Sequence, residues 1–305
     1  MEMTTTARPP VIRQFAATWQ FIRRWPVIPG AVIALLVVMG LFGPYIAPHD
    51  PVIASALDRH IPPVGMETCL GTKCKSGSWT HPLGTDHVGR DVLSRIIVGS
   101  RISLIVAALS LVVGLIVGTS IGMISGYLGG VFDEIITRIV DIWLALPFLM
   151  VALLVVLIFG QSLGVVFLLL AVLSWVGFVR VVRAQTLQLK EMDYVALARI
   201  AGASPNRIIW RHVLPGVINS AIVIATLNVG NLILAEATLS FLGAGIPPPT
   251  PAWGVLISEG REYISTAWWQ TAFPGVGIFL VVMSLNFLGD WARDRFDPRL
   301  RQLME

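Results

Sequence analysis

The sequence predicts an all-α integral membrane fold with six transmembrane helices and both termini on the cytoplasmic side. Three observations predict it. Of the 305 residues, 55% are apolar and only 13% charged, about half the ~25% charge content of a soluble domain. Six apolar stretches approach or exceed the roughly 20 residues that carry a helix across the hydrocarbon core. They fall at 27–47, 102–130, 142–160, 163–179, 214–235 and 268–289. Lys and Arg divide fifteen to seven between the two sides that these spans define, and the richer side is cytoplasmic. The net charge of +4 therefore reads as a topology signal rather than as a nucleic-acid surface.

Taken in order, residues 1–26 form a basic tail carrying Arg8, Arg13, Arg23 and Arg24, with an amphipathic piece near the membrane. The first span, 27–47, holds no charge. Residues 48–101 form an outer loop rich in Pro and Gly. Near its end Val92, Leu93, Ile96 and Ile97 share one helix face, which predicts a helix lying on the membrane surface and leading into the second span. That span, 102–130, carries Gly114, Gly118, Gly122 and Gly126 along one face. Without side chains there, another helix can approach closely. Asp133, Glu134, Arg138 and Asp141 ride on the same helical run as the third span. The fourth span is somewhat short, and an inner loop, 180–213, follows it. The fifth leads to a second outer loop, 236–267, with the exposed, stiff run Pro247-Pro248-Pro249-Thr250-Pro251. After the sixth comes a charged cytoplasmic tail, 290–305.

The inner loop reads as a helix–turn–helix over 191–216. Asp193 suits an N-cap, Gly202 suits the left-handed residue that ends a helix, and Ser204 caps a second helix with Pro205 in its first turn. Pro215-Gly216 marks a break before the fifth span. Ala196, Ala198, Ala201, Gly202 and Ala203 leave little side-chain bulk, so a partner's surface can come close. An ordinary cytoplasmic linker is the alternative reading of these residues.

Four segments resemble a known family. Ala198-Arg199, Gly202-Ala203-Ser204, Ile208 and His212-Val213-Leu214-Pro215 resemble the "EAA" loop of bacterial ABC importer permeases. Leu197-Ala198-Arg199 stands where the family name has Glu-Ala-Ala. Leu83 to Arg95 is similar to a signature of the C-type subunit of dipeptide, oligopeptide and nickel permeases. Glu236 to Gly243, followed by prolines and Trp253-Gly254, looks like the family's exit from the fifth span. Gly289-Asp290, Arg293-Asp294 and Asp297-Pro298-Arg299 resemble its ending.

The resemblance implies a type I ABC importer permease fold in the inner (plasma) membrane, with 102–289 as the core permease domain. It implies ATPase coupling by Asp193, Tyr194, Ala198, Arg199, Gly202, Ala203, Ser204 and Arg207. It also implies four partners beside membrane lipid: a homologous second permease, two ATP-binding subunits and an extracytoplasmic solute-binding protein. Di- or oligopeptides are the cargo it suggests, with nickel or another small solute as the alternative. A stand-alone secondary carrier would show inverted repeats and midplane charges, which the sequence does not.

No Gly-x-x-x-x-Gly-Lys-Ser/Thr run occurs, so ATP and Mg are expected on partner subunits and no cofactor on this chain. The five histidines have no ligand spacing, and no metal site is expected.

Polar groups within spans raise a pathway role by default. Asp141 either serves the pathway or pairs with Arg138, one turn away. Glu236 either caps the exit of the fifth span or meets a peptide ammonium. Asn228 and Asn231, three apart, either line the pathway or bond to a neighbouring helix at ~0.6 kcal/mol. Cys69 and Cys74 lie in the loop placed outside, where disulfides persist. Their spacing, with Gly71 between them, predicts a disulfide, with free thiols as the alternative.

Overall fold

The computed structural model describes residues 26–70 and 73–296. The expectations for the basic tail before residue 26, for Gly71 and for Asp297-Pro298-Arg299 lie outside these residues. Helix α1 (Val27–Ile46) is followed by a hairpin of β1 (Glu67–Leu70) and β2 (Lys73–Ser76), then α2 (Val92–Leu128), α3 (Gly130–Ala145) and α4 (Phe148–Phe159). Next come α5 (Leu163–Leu189), α6 (Asp193–Ile200), α7 (Pro205–Ile208) and a π turn (Ile209–Val213). α8 (Leu214–Phe241), α9 (Trp253–Gly260) and α10 (Trp269–Phe296) complete the order. Among the described residues, five helices are long and apolar enough to cross a membrane, and six spans result if α3 and α4 count as one.

The third span departs from the expected continuous helix over 142–160. α3 and α4 meet at 88°. Pro147 explains the bend. It has no N–H to continue the helix, and its ring pushes the preceding residue out of the helical region. Leu146 accordingly sits at φ −87°, ψ 129°.

Two other boundaries differ from expectation. The surface helix predicted near 90–100 is the first turns of α2 itself, which runs unbroken from Asp91, its N-cap. The break predicted at Pro215-Gly216 is absent. Pro215 occupies the first turn of α8, where a missing N–H leaves no bond unmade, so the chain passes from α7 through the π turn into the fifth span.

Packing is densest between α2 and α5, and the glycine face explains it. A Cβ on Gly118 would lie 2.5 Å from the Trp175 carbonyl oxygen, and one on Gly122 would lie 2.9 Å from that of Val179. Gly114 and Gly126 meet α5 as closely, at Ser174 and Arg183. The main core joins α1, α2, α5, α8, α9 and α10 through residues such as Leu36, Val106, Leu170, Ile233 and Trp253. A second core gathers Met123, Val182, Val195, Ile208, Val213 and Val217 beneath α6.

Candidate coupling site, outer collar and pathway

Helix α6 starts one residue earlier than its sequence suggests. Met192 is the N-cap, and Asp193 lies in the first turn, where a carboxylate still favours the positive helix end. The helix ends as expected. Gly202 adopts φ +79°, the Gly202 N–H donates to the Arg199 carbonyl, and the Ala203 N–H donates to that of Ala198 (both 3.0 Å). This doubly bonded ending favours glycine, because a side chain strains at positive φ. Ser204 caps the next helix, its Oγ accepting the Arg207 N–H at 3.4 Å.

The helix is held by a single buried residue. Val195 is wholly enclosed in the second core, and Ala198 and Ala203 pack against that core. Arg199 stands over the Tyr127 ring at the end of α2, 6.0 Å from its centroid. The opposite face is open: Leu197 is 65% exposed and Ile200 84%, with Tyr194, Ala201 and Gly202 also exposed. A short apolar face on a helix fixed from behind suits docking into a groove. Behind it, Arg183 grips Asp133 with two bonds (Nε–Oδ1 2.5 Å, Nη2–Oδ2 2.6 Å), which ties α3 to α5.

The outer end holds a polar collar whose ion pairs sequence reasoning did not identify. Arg90 Nε donates to Asp86 Oδ2 at 2.5 Å, and its Nη2 donates to Glu259 Oε2 at 2.8 Å. Arg95 Nη1 reaches the same two carboxylates at 2.7 and 2.6 Å. Asp86, Arg90 and Arg95 are buried. Burial pushes the Asp86 carboxyl towards its neutral form, but the Arg90 backbone N–H and the two guanidinium charges outweigh it and hold Asp86 below its usual value. Two tryptophans complete the collar: Trp253 Nε1 donates to the Ile96 carbonyl at 2.9 Å, and Trp269 Nε1 to that of Thr85 at 3.0 Å. The 83–95 motif therefore packs against the second outer loop at Glu259 and against the start of α10 at Trp269. The i,i+4 spacing of Asp86 and Arg90 was a readable signal, but Glu259 lies too far along the chain to give one. Of the proline run, only Pro248 and Pro249 are exposed, and Pro251 is buried.

The four candidate pathway residues do not form one cluster. Asn228 is half-buried and Asn231 exposed on α8. Glu236 caps nothing, since it lies within α8 and is fully buried. Ser103 Oγ donates to its Oε2 at 3.0 Å and Ser240 Oγ to its Oε1 at 2.7 Å, so the carboxyl is enclosed between α2 and α8. Asp141 is exposed, and the pairing expected for it is not made: Arg138 reaches Glu134 instead, at 3.5 Å.

Cys69 and Cys74 face one another across the β1–β2 pair and are joined as a disulfide, with Cα atoms 4.0 Å apart.

Comparison with known proteins bears on this arrangement. Residues 118–302 match the family described as binding-protein-dependent transport system inner membrane component. The chain belongs to this family. The permease is 44% identical over 289 residues to the dipeptide transport system permease protein DppC of Escherichia coli K12, covering 93% of each chain. It is 38% identical to the di/tripeptide transport system permease protein DppC of Pseudomonas aeruginosa UCBPP-PA14, covering 93% of this chain and 91% of that one. Its fold matches an inward-facing structure of the MetNI methionine ABC transporter (TM-score 0.54, 20% identity, 67% of this chain and 97% of that one). The permease thus has the type I ABC importer fold and is a multi-pass inner-membrane protein. It is the membrane component of its transport system rather than a catalyst in its own right.

Proposed function

We propose that this permease is one half of a translocation pathway for di- and oligopeptides, driven by ATP hydrolysed on partner subunits. A homologous second permease supplies the other half, two ATP-binding subunits carry ATP and Mg, and an extracytoplasmic solute-binding protein delivers cargo. The observation that carries the coupling role is α6. Its buried Val195 fixes it to the membrane core, while Leu197 and Ile200 face outward. Closure of the ATPase pair pushes this helix, and α5 and α8, packed on the same core, transmit the movement towards outward opening. Asp193, Tyr194, Ala198, Arg199, Gly202, Ala203, Ser204 and Arg207 form or position the docking surface. Asn228 and Asn231 offer amides to the pathway from α8. Peptide cargo is supported by the two peptide permeases to which the chain is similar over more than nine-tenths of its length.

The test is uptake of a labelled dipeptide, compared with Ni²⁺, in cells expressing the wild type or Gly202→Asp. Open space surrounds Gly202, with no heavy atom within 4 Å of an added Cβ. The substitution should therefore leave insertion intact while strain, charge and bulk spoil docking. The expected result is dipeptide uptake in the wild type, and loss of both uptake and stimulated ATP hydrolysis in the variant. An assembled variant transporting at the wild-type rate overturns the coupling role. Uptake of Ni²⁺ without dipeptide overturns the peptide cargo alone.

A further inference from the structure

We infer that His49, His81 and Asp91 form a binding site on the outer collar for a divalent transition-metal ion of the zinc class. The fold brings one ligand atom of each of the three residues to within 4.8 Å of the others. His81 Nδ1 lies 2.9 Å from Asp91 Oδ1, and His49 Nδ1 lies 3.8 Å from Asp91 Oδ2. Ligands on a tetrahedral zinc ion stand about 3.3 Å apart, the tetrahedral edge set by bonds of about 2.0–2.1 Å. With all three ligand atoms within 4.8 Å of one another, closures of at most about 1.5 Å bring them to that spacing.

The donor chemistry favours a metal over a plain salt bridge. His49 Nδ1 is shielded from solvent and makes no hydrogen bond, an expense that a metal bond would relieve. Asp91 is held from behind, with the backbone N–H and the hydroxyl of Ser94 donating to Oδ2 at 2.8 and 2.7 Å. Such supporting bonds orient a ligating carboxylate. The His49 backbone N–H donates to the same Ser94 hydroxyl at 3.0 Å, so both ends of the site share one support.

A second trio, Asp86, His87 and Glu259, is equally compact. Its carboxylates are already neutralised by Arg90 and Arg95, which would repel a cation. Among the described residues, Asp91 forms ion pairs with His49 and His81 alone. A metal at the first trio would clip the exit of α1 to the start of α2 and leave a coordination position for water.

The test is Zn²⁺ titration of the full-length chain, purified in detergent through a tag free of histidine and stripped with chelator. Co²⁺ absorption serves as a second readout. One equivalent should bind, raise the apparent Tm and give a cobalt band typical of low coordination number. His49→Ala, His49→Gln and His81→Ala should each weaken binding at least about tenfold and abolish the zinc-dependent Tm shift. The metal-free Tm of the two His49 variants should remain at the wild-type value, and His87→Ala should bind as the wild type does. Absence of saturable binding in the wild type overturns the site. So does affinity unchanged by the His49 and His81 substitutions, or equal loss in His87→Ala.

Discussion

At the scale of single residues, Asp86 has the largest predictable effect. It and Glu259 are the two carboxylates that both buried arginines of the collar share. Asp86→Asn removes that charge and leaves Arg90 and Arg95 on Glu259 alone. A cost on the order of 3 kcal/mol follows from breaking a buried ion pair, read as a lowered apparent Tm in detergent. The same residue sets a pH response. Its carboxyl titrates below the ordinary 3.8, so its contribution is fully present above that value and is lost as pH falls through the lower folded value. Hydrogen exchange across 83–95 should rise in that acid window in the wild type, and in Asp86→Asn it should already be raised at neutral pH. Part of this was legible, since Asp86 and Arg90 sit one turn apart. Glu259 was not, because a partner 169 positions away leaves no local pattern.

At the scale of elements, the α2–α5 contact and the disulfide hairpin make separate predictions. Gly118→Leu drives a side chain into the Trp175 carbonyl, which lies 2.5 Å from where a Cβ would stand. Overpacking of this kind costs about 1–3 kcal/mol. The expected outcome is normal insertion with a lower apparent Tm and less permease recovered with its partner subunits. Gly130, where an added Cβ meets nothing within 4 Å, gives the control: Gly130→Asn, a residue that tolerates positive φ, should leave packing unchanged. For the hairpin, mass mapping should find no alkylatable thiol until reductant is added. Cys69→Ser should loosen protection around Glu67–Ser76 without moving the global Tm, because the bridge closes so short a loop. The glycine spacing and the cysteine pair were both visible in the sequence, since each depends on a short, regular interval. The bend between α3 and α4 was visible only as Pro147, and an apolar run without charges masked it.

At the scale of the whole molecule, orientation is the property to test. A cysteine at Ser204 should react only with membrane-permeant thiol reagents in intact cells. One at Ser265, exposed before α10, should react with impermeant reagents once any outer barrier is opened. The reverse pattern overturns the placement of α6 beside the cytoplasmic ATPases and of the collar outside.

Composition and span length were enough to determine a polytopic helical membrane protein, because the cost of burying backbone polar groups in lipid leaves few other solutions. Local turn chemistry was enough to place the end of α6 at Gly202 and the start of α7 at Ser204. Side-chain partnership across the fold was decided only by tertiary structure. Glu236 read as a cap at the exit of the fifth span or a partner for a peptide ammonium, yet its carboxyl is enclosed by Ser103 and Ser240. His49 and His81 looked scattered, yet they meet at Asp91. In each case the deciding contact comes from another part of the chain. Periodicity reports which face of a helix is apolar, but not which distant residue that face will meet.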